Sequence, residues 1–162
     1  MAASTALELD RVALVGSGTP PEPRGILNTP GVQTDTLGTP SDWDFLVDAV
    51  GLLWTVNIEP NAVILGTAQA IAFAKFKAGT GDNSALAVPP ALSGIPPYRT
   101  NAAGDRVFIG DFTQLLIGMR TAFRIEVSRT GAGAFEHLQI AIRSYVRADI
   151  YVEHPEAFVV LE

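Results

Sequence analysis

Cysteine is missing from all 162 residues, which removes disulfides, thiolate metal ligands and cysteine nucleophiles together and leaves no redox compartment to infer. Imidazole is almost as scarce, with only His137 and His154. Charged residues make up 17% and aromatic residues 8% of a chain that is 48% hydrophobic, so sparse surface charge and self-association are expected. No apolar run approaches the ~20 residues of a bilayer span. The opening MAASTALELD has neither the basic nor the apolar region of a signal peptide, and the chain is expected to be soluble, unexported and without a membrane partner. Basic residues number 11 against 17 acidic ones, for a formal charge of −6, and no Lys/Arg cluster offers a surface for phosphate neutralisation. Sequence-specific nucleic-acid binding is therefore not expected.

What remains is a chain sized for one domain, or for one domain with an extension, and able to bury a sizeable core. Leu7, Val12 and Leu14 in STALELDRVALVG mark the end of a helix closed at Gly16. From Gly16 to Pro40 five prolines and five glycines dictate loops and turns. In SDWDFLVDAVGLLW, Trp43, Leu46, Val47, Val50 and Leu53 recur at helical spacing, with Ser41 and Asp44 as a near capping box. NAVILG reads as a short buried strand, and TAQAIAFAKFKAG as a helix capped by Thr67 and stopped at Gly79. GIPPYRT suits a sheet edge, because proline cannot donate to a central ladder.

After the turn NAAGD the chain becomes β-rich: RVFIGDF, QLLIGMRTAFRIEVSR, LQIAIRSYVRADIYVE and EAFVVL read as strands, with TGAGA at 130–134 as a hairpin loop. The two long ribbons are expected to pair antiparallel. Phe123, Ile125 and Val127 alternate with Arg124, Glu126 and Ser128, so one face of the hairpin requires cover. A lone two-stranded hairpin is at best marginally stable in water, so the cover must come from elsewhere, from a missing part of the chain or from another copy.

Candidate chemistry is thin. GSGTP at 16–20 resembles a phosphate cradle, but neither a preceding strand nor a following lysine supports it. GTGDN at 79–83 offers Asp82 and Asn83 to a cation without the alternating oxygens of a calcium loop. His154 stands near Glu153 and Glu156, but strand alternation sends neighbours to opposite faces. No serine sits in a G-x-S-x-G elbow. Arg120, Arg124, Arg129, Arg143 and Arg147 gather on the ribbons, where pairing with Glu126, Glu136, Asp149 or acids of a partner is the expectation. No catalytic residue, cofactor-binding residue or metal ligand is assigned, and a small hydrolase or ligand-binding domain is disfavoured.

Four stretches, in order, carry a resemblance that covers nearly the whole chain: LDRVALVGSGTPPEPRGIL, NIEPNAVILGTAQAIAFAKFKAGTGD, LSGIPPYRTNAAGDRVFIGDFTQLLIGMR and IRSYVRADIYVEHPEAFVVL. Together they resemble the carboxy-terminal part of tailed-bacteriophage major capsid proteins of the Hong Kong 97 type. The resemblance implies an α+β fold, a mixed central sheet flanked by helices with a long antiparallel β-hairpin extension. It divides the chain into the end of a spine helix at 1–16, an axial domain at 17–117 and 150–162, and a peripheral-domain hairpin at 118–149. The function implied is a structural, non-enzymatic subunit of an icosahedral shell that encloses the phage genome, in the virion and in the host cytoplasm before assembly.

The implied partners are other copies of the chain, with scaffold, portal or decoration proteins as further ones; an encapsulin-like compartment shell is the alternative. The family's amino-terminal arm, extended loop and most of its spine helix have no counterpart here, so a truncated form is expected, a monomer or small ring rather than a closed shell. Some relatives cross-link their shells through lysine, asparagine and glutamate; HLQIAIRSYVR holds no Asn or Glu, and no such cross-link is expected.

Overall fold

The computed structural model describes residues 2–79, 83–129 and 138–162. The chain opens with α1 (Ala2–Val15), which buries Val12, Ala13 and Leu14. It ends where the Gly16 N–H donates to Val12 O at 2.9 Å, and Gly25 crosses back over the same point, its N–H donating to Gly16 O at 3.0 Å. A Cβ on either glycine would overlap backbone atoms of the other segment, so the crossing requires both. The loops that follow contain one strand, β1 (Gln33–Asp35), where only turns were expected. Its three polar residues carry no strand pattern of their own; its hydrogen bonds come from a strand more than a hundred residues away.

The next helix, α2 (Asp44–Thr55), buries Leu46, Ala49, Val50 and Leu53 as the periodicity requires. Its start departs from the capping-box reading. Trp43 holds the N-cap position without a side-chain bond, while Asp42 Oδ1 accepts from the Asp44 N–H at 3.2 Å and the Ser41 hydroxyl turns to Asp42. The strand β2 (Ala62–Leu65) leads to α3 (Thr67–Phe73), which stops six residues before Gly79. Gly66, not Thr67, is its N-cap; the Thr67 hydroxyl instead bonds Asn101 Oδ1. The early stop has a packing cause, because leaving the helix lets Phe76 come within 5.4 Å of Phe73 and 5.0 Å of Trp43, ring to ring.

The remaining strands are β3 (Pro97–Arg99), β4 (Val107–Gly110), β5 (Leu115–Ser128), β6 (Ala141–Val152) and β7 (Phe158–Leu161). Among the described residues, five of the seven strands form one mixed sheet in the order β1-β7-β4-β2-β3. β4 runs antiparallel to both of its neighbours, whereas the two edge pairings are parallel, with Pro97 on the edge strand as its missing donor requires. β4 and β7 are buried at every position, hence their unbroken apolar runs.

Alternate residues serve two cores. Val107, Ile109, Val159 and Leu161 join Val63 and Leu65 beneath α2, α3 and Phe76. Phe108, Phe158 and Val160 face the other way, onto Leu14, Ile26 and Ala103. Helices thus cover both sides of the sheet.

β5 and β6 form the second sheet, an antiparallel ribbon that runs from Leu115 opposite Val152 to Ser128 opposite Ala141. The register shifts between Met119 and Thr121 and again between Thr121 and Arg124. β5 therefore carries two residues more than β6 along the paired length, 14 against 12, which bends and twists the ribbon. The expected loop at 130–134 lies outside the described residues.

Candidate assembly interface

Among the described residues the small motifs bring no three metal-ligating side chains together. In the 16–20 loop the Ser17 hydroxyl donates to Glu22, so an incoming phosphate would meet a carboxylate. Glu22 is also bound by Arg11, which in turn holds Glu8 at 2.6 Å, tying α1 to the loop. The Ser17 hydroxyl first, and then the Arg11 guanidinium, lower the Glu22 carboxyl to a pKa of about 2. Asp82 lies outside the described residues. His154 Nδ1 lies 3.2 Å from Glu156 Oε1 in an exposed pair. Among the described residues no three His, Cys, Asp or Glu side chains gather as a metal site would demand. No helix among them is long and apolar enough to cross a membrane.

Asp111 is the busiest carboxylate and its work is structural. It accepts from the Thr113 N–H at 3.0 Å and from Asn61 Nδ2 at 2.7 Å, pinning the turn out of β4 to the segment before β2. Burial pushes its pKa up, but bonds from Thr113, Gln114 and Asn61 outweigh that and hold it below the usual aspartate range.

The ribbon has two unlike faces. Side chains of the β6 residues 144, 146, 148, 150 and 152 share one face by alternation. At its root Ile150 packs on Val12 and Ala13 of α1. Farther out Ser144, Val146 and Ala148 line a crevice of about 420 Å³ with Ser4, Thr5 and Leu9. Beyond the first turn of α1 the same face continues as Ile125, Val127 and Ile142, all more than half exposed. Burying each of these side chains fully would be worth about 1.5–3 kcal/mol, so the row leaves a sizeable apolar surface uncovered among the described residues.

The outer part of the opposite face is polar, with Leu116 exposed beside Tyr151 at its root. Arg143 and Glu126 meet at 2.6 Å, and the Tyr145 hydroxyl donates to Glu126 at 2.9 Å. Those two bonds, Arg143 first, hold the Glu126 carboxyl below its ordinary value. The pairing expected with Glu126 thus falls to Arg143. Asp149 accepts instead from the Ile150 N–H at 2.9 Å, and Glu136 lies outside the described residues. Periodicity in β5 pointed to the bare row; which residues α1 shelters was not readable, because two bulges reset the alternation between Met119 and Arg124.

Known proteins match this architecture. The sequence profile of the phage capsid family aligns with residues 1–162. No curated protein sequence matches the chain significantly. Among solved structures, that of Microbacterium phage Oxtober96 superposes with a TM-score of 0.74 at 16% identity, over 98% of this chain and 61% of its own. The capsid of an empty GTA particle gives 0.72 at 20% identity, over 99% and 62%. A virus-like particle from Pyrococcus furiosus gives 0.72 at 16%, over 97% and 63%. The chain spans about three fifths of the length of these structures. Its mixed sheet between helices, with a long two-stranded extension, is the Hong Kong 97-type fold. With the profile running from the first residue to the last, the chain belongs to the phage capsid family.

Proposed function

We propose that the chain is a structural subunit of an icosahedral phage capsid, which assembles with copies of itself into pentamers and hexamers around the genome. The single observation that carries this is the bare apolar row Ile125, Val127 and Ile142, on a ribbon that, among the described residues, α1 and the five-stranded sheet support near its root. A monomer gains nothing from such a face; a shell subunit gains a seam.

The layout divides accordingly. Residues 17–117 and 150–162 would form the axial domain around the five-stranded sheet, 118–149 the peripheral hairpin, and 1–16 the end of the spine helix. Axial domains would meet around fivefold and sixfold axes and hairpins would meet neighbouring copies. The subunit would reside in the virion, and in the host cytoplasm before assembly. Scaffold, portal or decoration proteins would bind the surfaces of the assembled shell. The role asks for no catalytic group, cofactor or metal. The Pyrococcus particle superposes no better than the phage and GTA capsids do, so a cargo-compartment shell gains no support of its own.

Negative-stain electron microscopy of the concentrated protein tests the reading. Rings of five or six copies are expected; a field of single particles at every concentration would contradict it.

A further inference from the structure

Charge is divided unevenly along this chain. Residues 115–152 hold five arginines against three acids, whereas the rest of the chain holds six basic residues against fourteen acids. Between Arg24 and Lys75 there are five carboxylates and no Lys or Arg at all. Three of the five stand at the start of α2: Asp42 just before it, then Asp44 and Asp48 one turn apart on its exposed side. Neither Asp44 nor Asp48 forms an ion pair with a described residue.

The ribbon face turned away from α1 carries the opposite sign. The register sets Arg124 beside Tyr145 and Glu126 beside Arg143, and alternation along β6 adds Arg147 and Tyr151 to the same side. Arg124 and Arg147 are exposed and without an ion pair to any described residue, and Tyr151 is 64% exposed. Tyrosine and arginine are the residues that dominate the centres of protein interfaces, where their planar groups give large contact for little lost freedom.

We propose that this arginine–tyrosine face docks on the acidic start of α2 in a second copy, with Arg124 and Arg147 meeting Asp44 and Asp48. The inference rests on the shell-subunit reading and adds the pair of surfaces that one contact uses. A second copy fits better than a nucleic acid. The ribbon face also holds Glu126, kept ionised by Arg143, and Asp149, so a phosphate backbone would lie against two carboxylates, whereas a surface of separate aspartates can avoid them. The body of one copy repels another at long range, and a basic arm reaching an acidic helix supplies the attraction that sets which surfaces meet.

Sedimentation velocity on the full chain, in low and high salt, tests this with two charge reversals. Arg124→Glu with Arg147→Glu, and separately Asp44→Arg with Asp48→Arg, should each weaken association roughly tenfold or more at low salt and leave the melting temperature unchanged. An equimolar mixture of the two variants should regain it, because each arm then faces a complementary helix. Wild-type association in either variant alone, or a mixture that stays dissociated, would overturn the pairing. So would loss of co-purifying DNA as the only effect of the arginine reversal. A wild-type chain that never associates would instead refute the shell-subunit reading beneath it.

Discussion

Val127 and Ile142 stand opposite one another across the ribbon, 62% and 52% exposed, on the face where Ile150 of the same strand is 5% exposed against α1. Shelter ends within eight residues of one strand. Ile150→Ala should therefore cost about 2–5 kcal/mol, since it empties a packed site, whereas Ile142→Ala should stay within about 0.5 kcal/mol in the unassembled chain. Urea denaturation of both variants at a concentration too low for association checks the difference. Equal costs would mean that the outer ribbon is covered by its own chain.

Two glycines predict opposite outcomes. A Cβ on Gly66 would overlap the carbonyl oxygen of Gly104, a backbone atom that cannot swing away, so Gly66→Ala should destabilise by about 3 kcal/mol. Gly51 lies within α2 with open space where its Cβ would be, and Gly51→Ala should stabilise by about 0.5–1 kcal/mol through helix propensity. Thermal melts of the pair are the measurement.

The clasp at the end of α1 should respond to acid. The folded Glu22 carboxyl, with a pKa of about 2 against its ordinary 4.5, contributes stability that is complete above 4.5 and is lost as pH falls toward 2. In carboxyl NMR titrations Glu22 should show a midpoint near 2, and Ser17→Ala with Arg11→Ala should return it toward 4.5. An ordinary midpoint in the unaltered chain would mean that the clasp is open in solution.

Burial explains what could be read from the residues alone. VFIG and FVVL announce themselves because β4 and β7 are covered on both faces, so every side chain is apolar. α2 shows its core stripe for the related reason that one side packs on the sheet. The strand β1 leaves no trace, since Gln33, Thr34 and Asp35 owe their conformation to β7. The end of α3 is hidden as well: nothing local stops the helix at Phe73, and the cause is Trp43, thirty residues earlier, which gathers Phe73 and Phe76. The antiparallel pairing of the ribbon followed from its pattern. Its bulges and the sheltering of its root by Val12 and Ala13 did not, because both depend on a partner distant in sequence.

The central claim is that the outer apolar row of the ribbon is a seam between copies. Sedimentation velocity across a concentration series, on the unaltered chain and on Val127→Asp with Ile142→Asp, tests it most directly, with circular dichroism melts to confirm that both remain folded. Association that rises with concentration in the first and vanishes in the second, at unchanged melting temperature, is the predicted result. Identical association in both would contradict the account.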